Sequence, residues 1–293
     1  MTSNTTGYQN TASGAGALAI NTTGYWNTAS GSGAMQNNTT GSENTASGVQ
    51  ALLDNATGNF NTASGYQALQ ASTMGSNNTA GGSFALYSNT VGVNNTASGD
   101  SALEGNTTGS NNTAIGCQAA GSVLGSNSNN IHIGSLGASG DGAAANSGVI
   151  RIGTPGTQTS FFAAGVSGTN TGLSGAVPVV IDSNGQLGTV SSSRRYKEDI
   201  QDMGEASSGL MRLRPVTFRY KDGSKPIDYG LIAEEVADVY PDLVAHSSDG
   251  EIETVQYQKV SAMLLNEVQR QHQLIQNQKE DDGGNHRFEG APL

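Results

Sequence analysis

The residues best equipped for chemistry lie in one short run, Ser191-Ser192-Ser193-Arg194-Arg195-Tyr196-Lys197-Glu198-Asp199-Ile200. It brings hydroxyl nucleophiles and a lysine together, the two side-chain types of a serine–lysine hydrolytic pair. A serine hydroxyl is already beside the carbonyl of the preceding residue, so the backbone itself supplies much of the proximity. A lysine serves as base only when neutral, a form favoured by burial or by neighbouring cations such as Arg194 and Arg195. The plain alternative is a basic, polar linker that does no chemistry. The run is also a seam in composition. The roughly 190 residues before it, rich in Gly, Ser, Thr, Asn and Ala, carry six acidic side chains and one basic one, Arg151. The last hundred or so carry eighteen acidic and twelve basic side chains, with ordinary globular patterning.

Few other residues compete for a role. Glu234 and Glu235 are adjacent on an expected helix, so they point in different directions and read as a solvated face. His132 falls in a short alternating segment and reads as a strand surface residue. Cys117 is the sole cysteine, which excludes an intrachain disulfide and a cysteine-based metal cluster; no metal or cofactor is expected. The net charge of −11 argues against a nucleic-acid partner. No apolar run approaches the ~20 residues of a membrane span, and no secretory signal is visible. Repeat sequence begins within three residues of Met1, as expected of a piece of a longer protein. At 293 residues, two or three domains fit.

Upstream of the seam the chain repeats. Asn-Thr-Ala begins at Asn10, Asn27, Asn44, Asn61, Asn78, Asn95 and Asn112, always seventeen residues apart. Leu18, Met35, Leu52, Leu69, Leu86, Leu103 and Ala120 keep the same step, as do Gly7, Gly24, Gly41, Gly58, Gly75, Gly92 and Gly109. A period without insertions makes each copy one rung stacked on the last. Asn-Thr-Thr-Gly is turn sequence, Gly supplying a positive φ, and so much Gly excludes a helix. Two short extended segments per rung are predicted, one at Thr-Ala-Ser and one at Ala-Leu. The result is a β-roll or solenoid rising ~4.8 Å per coil, about 34 Å over seven coils. Thr2 to Ala120 hold only twenty large apolar residues, so association of identical chains is expected to add burial. Thr11, Thr28, Thr45, Thr62, Thr79, Thr96 and Thr113 form an outward ladder that also fits an ice- or glycan-binding wall. The Asn-X-Thr sequons at Asn4, Asn21, Asn38, Asn55 and Asn106 are explained by turn chemistry.

These repeats, with Asn112-Thr113-Ala114-Ile115-Gly116 nearest the pattern, resemble the head repeats of trimeric autotransporter adhesins and related phage and bacterial fibres. The resemblance covers residues 4 to about 120 and implies a trimeric left-handed β-roll. Most copies differ by placing Ser13, Ser30, Ser47, Ser64 or Ser98 where Ile or Val is usual. Residues 121–191 read as a β-rich stalk or neck. Ile131-His132-Ile133-Gly134 and Val149-Ile150-Arg151-Ile152-Gly153 look like two copies of one strand. Phe161-Phe162-Ala163-Ala164 follows, and Asp182-Ser183-Asn184-Gly185 turns between Val177–Ile181 and Gln186–Val190.

The C-terminal part reads as α+β. Val216 to Tyr220 alternates as a strand after Pro215; Tyr229–Ala233 runs into a helix closed before Pro241. Glu253–Tyr257 leads into a helix from about Gln258 to Lys279. There Leu264, Val268, Gln271, Ile275 and Gln278 form either a short coiled-coil seam or a monomer's buried stripe. The segments Ser192–Ile200, Leu213–Tyr220, Tyr229–Val236 with Pro241, and Leu264-Leu265-Asn266-Glu267-Val268-Gln269 resemble the C-terminal intramolecular chaperone of phage endosialidases and tail fibres. That family is a self-cleaving serine peptidase.

The resemblance implies a homotrimer, assisted folding of the upstream β-fibre and autocleavage once in cis. It places the cut between Ser191 and Ser192, with Ser192 as nucleophile and Lys197 as base. Ser193 departs from the family's frequent Asp. The expected organisation is a solenoid at 1–120, a neck at 121–191, a chaperone domain at 192–280 and a disordered tail at 281–293. The expected protein is a trimeric fibre subunit on a virion tail or bacterial surface that meets a cell-surface receptor or glycan. The alternative is an ice- or glycan-binding solenoid whose C-terminal domain oligomerises without cleavage. A depolymerase is disfavoured, because no carboxylate pair recurs in the repeat.

Overall fold

The computed structural model describes residues 2–137, 141, 148–155, 157–158, 160–164, 166, 177–182, 185–221, 226–247 and 249–285, with side chains to 280. It divides into two compact units, Met1–Val166 and Ser167–Leu293.

The first unit is a parallel β-solenoid. Its strands are β1 (Thr11–Ser13), β2 (Thr28–Ser30), β3 (Thr45–Ser47), β4 (Thr62–Ser64), β5 (Thr79–Gly81), β6 (Thr96–Ser98), β7 (Thr113–Ile115), β8 (Ile131–Ile133) and β9 (Ile150–Ile152). They form one sheet in sequence order, each strand beside the next. The constant period sets the register, so Thr28 pairs with Thr45, Ala29 with Ala46 and Ser30 with Ser47. The stack does not stop at residue 120: Thr113 pairs with Ile131, and Ile131 with Ile150. Two rungs of the expected neck thus continue the solenoid.

The middle residue of each strand points inward. Ala29, Ala46, Ala63, Ala97 and Ala114 are fully buried, as are Leu18, Met35, Leu52, Leu69, Leu86 and Leu103. Thr and Ser flank the alanine on the outer side, exposed from β2 through β4. The Ser-for-Ile departures therefore sit on the outer face, where Ile115 is exposed too.

Three expectations about the rung are corrected. Only Thr-Ala-Ser is extended; the Ala-Leu segment is a turn, with Leu52 at φ 50° and Leu69 at φ 52°. A left-handed leucine costs about 1–2 kcal/mol, and complete burial of the side chain, worth about 2 kcal/mol, offsets it. Next, the glycine of Asn-Thr-Thr-Gly is needed for closeness: a Cβ on Gly41 would lie 2.5 Å from the Gly58 carbonyl oxygen and 2.4 Å from Asn38 Oδ1. The glycine whose backbone is left-handed is the one after the strand, such as Gly48 at φ 144°. Third, His132 is no surface residue. It occupies the inward position of β8, in register with Ala114, and is buried.

Asparagine completes the core. Asn44 is fully buried; its Nδ2 donates to the Gly58 carbonyl at 2.8 Å and its backbone N–H to Asn27 Oδ1 at 3.0 Å. Asn38 runs a second ladder, Nδ2 donating to Asn21 Oδ1 at 2.7 Å and to the Gly41 carbonyl at 2.9 Å. These amides fill space that a tally of apolar residues misses. They also bury most of the sequon asparagines, including Asn21, Asn38, Asn55 and Asn106.

The second unit is α+β. A hairpin of β10 (Val180–Ile181) and β11 (Leu187–Gly188) comes first. The middle of its turn, Ser183 and Asn184, lies outside the described residues. Phe161–Ala164, still in the first unit, is exposed and belongs to no strand. A 3₁₀ helix spans Gly204–Arg212; β12 (Val216–Phe218) pairs antiparallel with β13 (Asp228–Gly230), and α1 (Ala233–Ala237) follows. A short 3₁₀ turn, Pro241–Leu243, leads into β14 (Val244–His246), which pairs with β15 (Ile252–Val255), and α2 spans Tyr257–Asn285. Helix α2 thus enters the expected tail, whose residues from 286 on lie outside the described ones. The core here is small: Val236, Leu243, Val244 and Val255, with Leu213, Leu231, Val260 and Met263 packed against it. Among the described residues no helix is long and apolar enough to cross a membrane.

Candidate functional site

The run from Ser191 to Ile200 lies in the N-terminal part of the second unit. A single 3₁₀ turn, Arg194–Tyr196, separates Ser192 from Lys197, shortening the path between them relative to extended chain. The Tyr196 N–H donates to the Ser193 carbonyl and the Lys197 N–H to the Arg194 carbonyl, each at 3.1 Å. Ser191 Oγ accepts from the Ser193 N–H at 3.3 Å. The Arg195 guanidinium carbon lies 4.9 Å over the Tyr196 ring, a cation–π contact. Every residue from Ser191 to Ile200 is exposed in the single chain. Among the described residues no hydrogen bond joins the Ser192 and Lys197 side chains.

The segment beyond is held by polar contacts that pattern reading did not anticipate. Ser207, fully buried, donates through Oγ to Glu267 Oε2 at 3.1 Å. Asn266 Nδ2 donates to Ser207 Oγ at 2.7 Å and to the Gly204 carbonyl at 2.9 Å. Arg270 bridges Glu267, at 2.8 Å, and Glu205. The 3₁₀ helix Gly204–Arg212 is thereby pinned to α2. Only the Asn266-Glu267 dipeptide signalled this, as part of the motif that carried the resemblance. Tyr240 donates its hydroxyl to the Ala206 carbonyl at 2.9 Å, and Tyr257 accepts the Leu231 N–H at 3.0 Å.

Glu235 is more than a solvated carboxylate. It pairs with both nitrogens of the Arg214 fork, and that guanidinium holds its carboxyl below the usual range. Glu234 takes no part in this pair. Among the described residues, no group of three His, Cys, Asp or Glu side chains is arranged to hold a metal ion.

The apolar stripe of α2 divides. Val260 and Met263 pack on the unit's own core, whereas Leu264, Leu265, Val268, Leu274 and Ile275 are exposed. The expected Leu264–Val268–Ile275 seam is therefore left exposed among the described residues.

No curated protein and no solved structure matches the chain. A family model does, over the run, strands and helix just described up to β14. Residues 192–245 match the family described as the chaperone of endosialidase, a peptidase family. That match, with a β-solenoid earlier in the chain, supports a tail-fibre-like protein with an endosialidase-type chaperone domain at residues 192–245.

Proposed function

We propose that the chain is a homotrimeric fibre or adhesin subunit, of a virion tail or a bacterial surface, that meets a receptor or glycan. Its C-terminal domain gathers three copies and then releases itself between Ser191 and Ser192. The carrying observation is the exposed α2 stripe: Leu264, Val268 and Ile275 are 49%, 60% and 50% exposed, spaced four and seven residues apart as on one seam of a helix pair. A monomer would gain by covering such a stripe, and a second and third copy of the helix supply the cover.

The release step uses groups already adjacent in the chain. Neutral Lys197 takes the Ser192 hydroxyl proton as Oγ attacks the Ser191 carbonyl carbon. The C–N bond breaks, the proton passes to the departing Ser192 nitrogen, and an ester joins Ser191 to Ser192 Oγ. Water then hydrolyses the ester, leaving a Ser191 carboxylate and a free Ser192 hydroxyl. Enclosure of this exposed run by association would tie cleavage to assembly. One experiment tests the reading: intact mass and native mass of the wild type beside Ser192→Ala and Lys197→Ala. The wild type should yield fragments 1–191 and 192–293, and both variants should stay whole at trimer mass. A wild type that stays whole on prolonged incubation removes the peptidase and leaves the chaperone standing; a monomer mass removes both.

The outward Thr and Ser ranks of β2–β4 favour a second reading, an ice-binding wall with a non-cleaving oligomerisation domain. Thermal hysteresis in the full-length protein would speak for it.

A further inference from the structure

Three aromatic rings stand together on the first two rungs of the solenoid. Tyr8 and Tyr25 hold the same place on successive rungs and stack, centroids 5.1 Å apart and planes 7° from parallel. Trp26 is nearly perpendicular to both, its centroid 5.3 Å from Tyr25 and 6.3 Å from Tyr8. Those distances close a nearly equilateral triangle, so the indole lies beside the tyrosine pair and not at its end. Trp26 is 51% exposed and Tyr8 53%.

The platform is built and fixed. Trp26 Nε1–H donates to Gln9 Oε1 on the preceding rung, and the Trp26 backbone N–H donates to the Tyr8 carbonyl at 3.1 Å. The rungs then hold Glu43 and the exposed Phe60 at the place of Trp26. Rings and hydrogen-bonding side chains thus alternate along one wall, at the ~4.8 Å rung spacing. No lysine or arginine lies within the solenoid before Arg151, so none of the rungs around the rings offers a cationic side chain to an anionic ligand.

We propose that Tyr8, Tyr25 and Trp26 form the binding platform for an uncharged oligosaccharide. The C–H face of a pyranose sits on the aromatic surface, and Gln9 and Glu43 take its hydroxyls. Rigid aromatic area with a few placed polar groups is what recognises an amphipathic ring of this kind. An apolar protein partner would want a wider uninterrupted apolar patch than three rings among Gln, Glu, Asn and Ser provide. The proposal takes its motive from the adhesin reading and locates that reading's ligand, but it requires neither cleavage nor trimer formation.

The chain's single tryptophan reports on the site. Its emission is to be titrated in the full-length protein with cellohexaose, chitohexaose, maltohexaose and mannohexaose, a sialylated hexasaccharide serving as the charged control. An array of neutral glycans extends the panel. At least one neutral glycan should shift the emission to the blue with saturation, and the sialylated control should not. Tyr25→Ala should weaken binding roughly tenfold, and Trp26→Ala should abolish array binding while leaving native mass and fragment pattern as in the wild type. Absence of any neutral glycan binding, or equal binding by Trp26→Ala, overturns the proposal. So does a reduced native mass in Trp26→Ala, which would make the platform a contact between copies. Running Ser192→Ala in parallel separates this outcome from a failure of the cleavage reading.

Discussion

The asparagine that opens each Asn-Thr-Ala triplet bonds across the rungs of the solenoid. Asn61 Nδ2 donates to the Gly75 carbonyl at 2.8 Å, and its Oδ1 accepts the Asn78 N–H at 3.0 Å. Both partners lie inside the stack, where water cannot replace the lost bonds. Asn61→Ala should therefore cost about 3 kcal/mol, the penalty of leaving buried donors and acceptors unmatched. Thr57→Ala, at an exposed site nearby, should stay within about 0.5 kcal/mol of the wild type. Urea unfolding of the two variants checks this; equal midpoints would show that the ladder fills space without contributing stability. These triplets were legible in the sequence as the marker of the seventeen-residue step. Their burial was not, because an amide capping its own turn and an amide bridging rungs have the same sequence.

At the scale of elements, β8 shows what one inward substitution does. His132 stands where the earlier strands place alanine, and among the described residues neither ring nitrogen has a hydrogen-bond partner. Burial lowers its pKa, Asp141 acts in the opposite sense, and Arg151 reinforces the lowering. Asp141 itself is engaged by Arg151. A depressed folded-state pKa means that the unfolded chain takes the proton first. The stability His132 permits is thus complete above the ordinary histidine range and is lost as pH falls toward the lowered value. The melting midpoint of the β signal should drop by a few degrees between about pH 8 and about pH 5, and the drop should shrink in His132→Ala. An equal drop in the variant would assign the effect elsewhere. Helix α2 makes the complementary case: its apolar spacing was plain in the sequence, but which part of the stripe its own domain covers depends on the packing of Val260 and Met263.

For the molecule as a whole, the solenoid poses a folding problem that the second unit answers in the proposed reading. Every strand pairing joins residues seventeen or more apart through strands of only three residues. Such a stack has no strong local nucleus and exposes strand edges while it forms. Three chains tethered by their C-terminal domains meet at a high effective concentration and in common register. Residues 1–191 expressed alone should therefore be monomeric or aggregated, whereas the full chain should give a soluble assembly with the native mass of a trimer. Native mass spectrometry and sedimentation decide it. A truncated chain that reaches the same assembly at the same rate removes the chaperone role.

The sequence alone determined the rung, its seventeen-residue step and the parallel order of the strands, since an indel-free repeat leaves a stacked chain no other register. It also marked the seam at Ser191 and the helix after Tyr257. The tertiary structure decided which way side chains face: Ala46 and His132 inward, Ser47 and Ile133 outward, Leu52 folded back in a left-handed turn. A three-residue strand holds too little alternation to reveal its buried side. That side is set only when the Asn44 and Asn38 ladders close the coil around it, through bonds to neighbouring rungs that no single repeat contains.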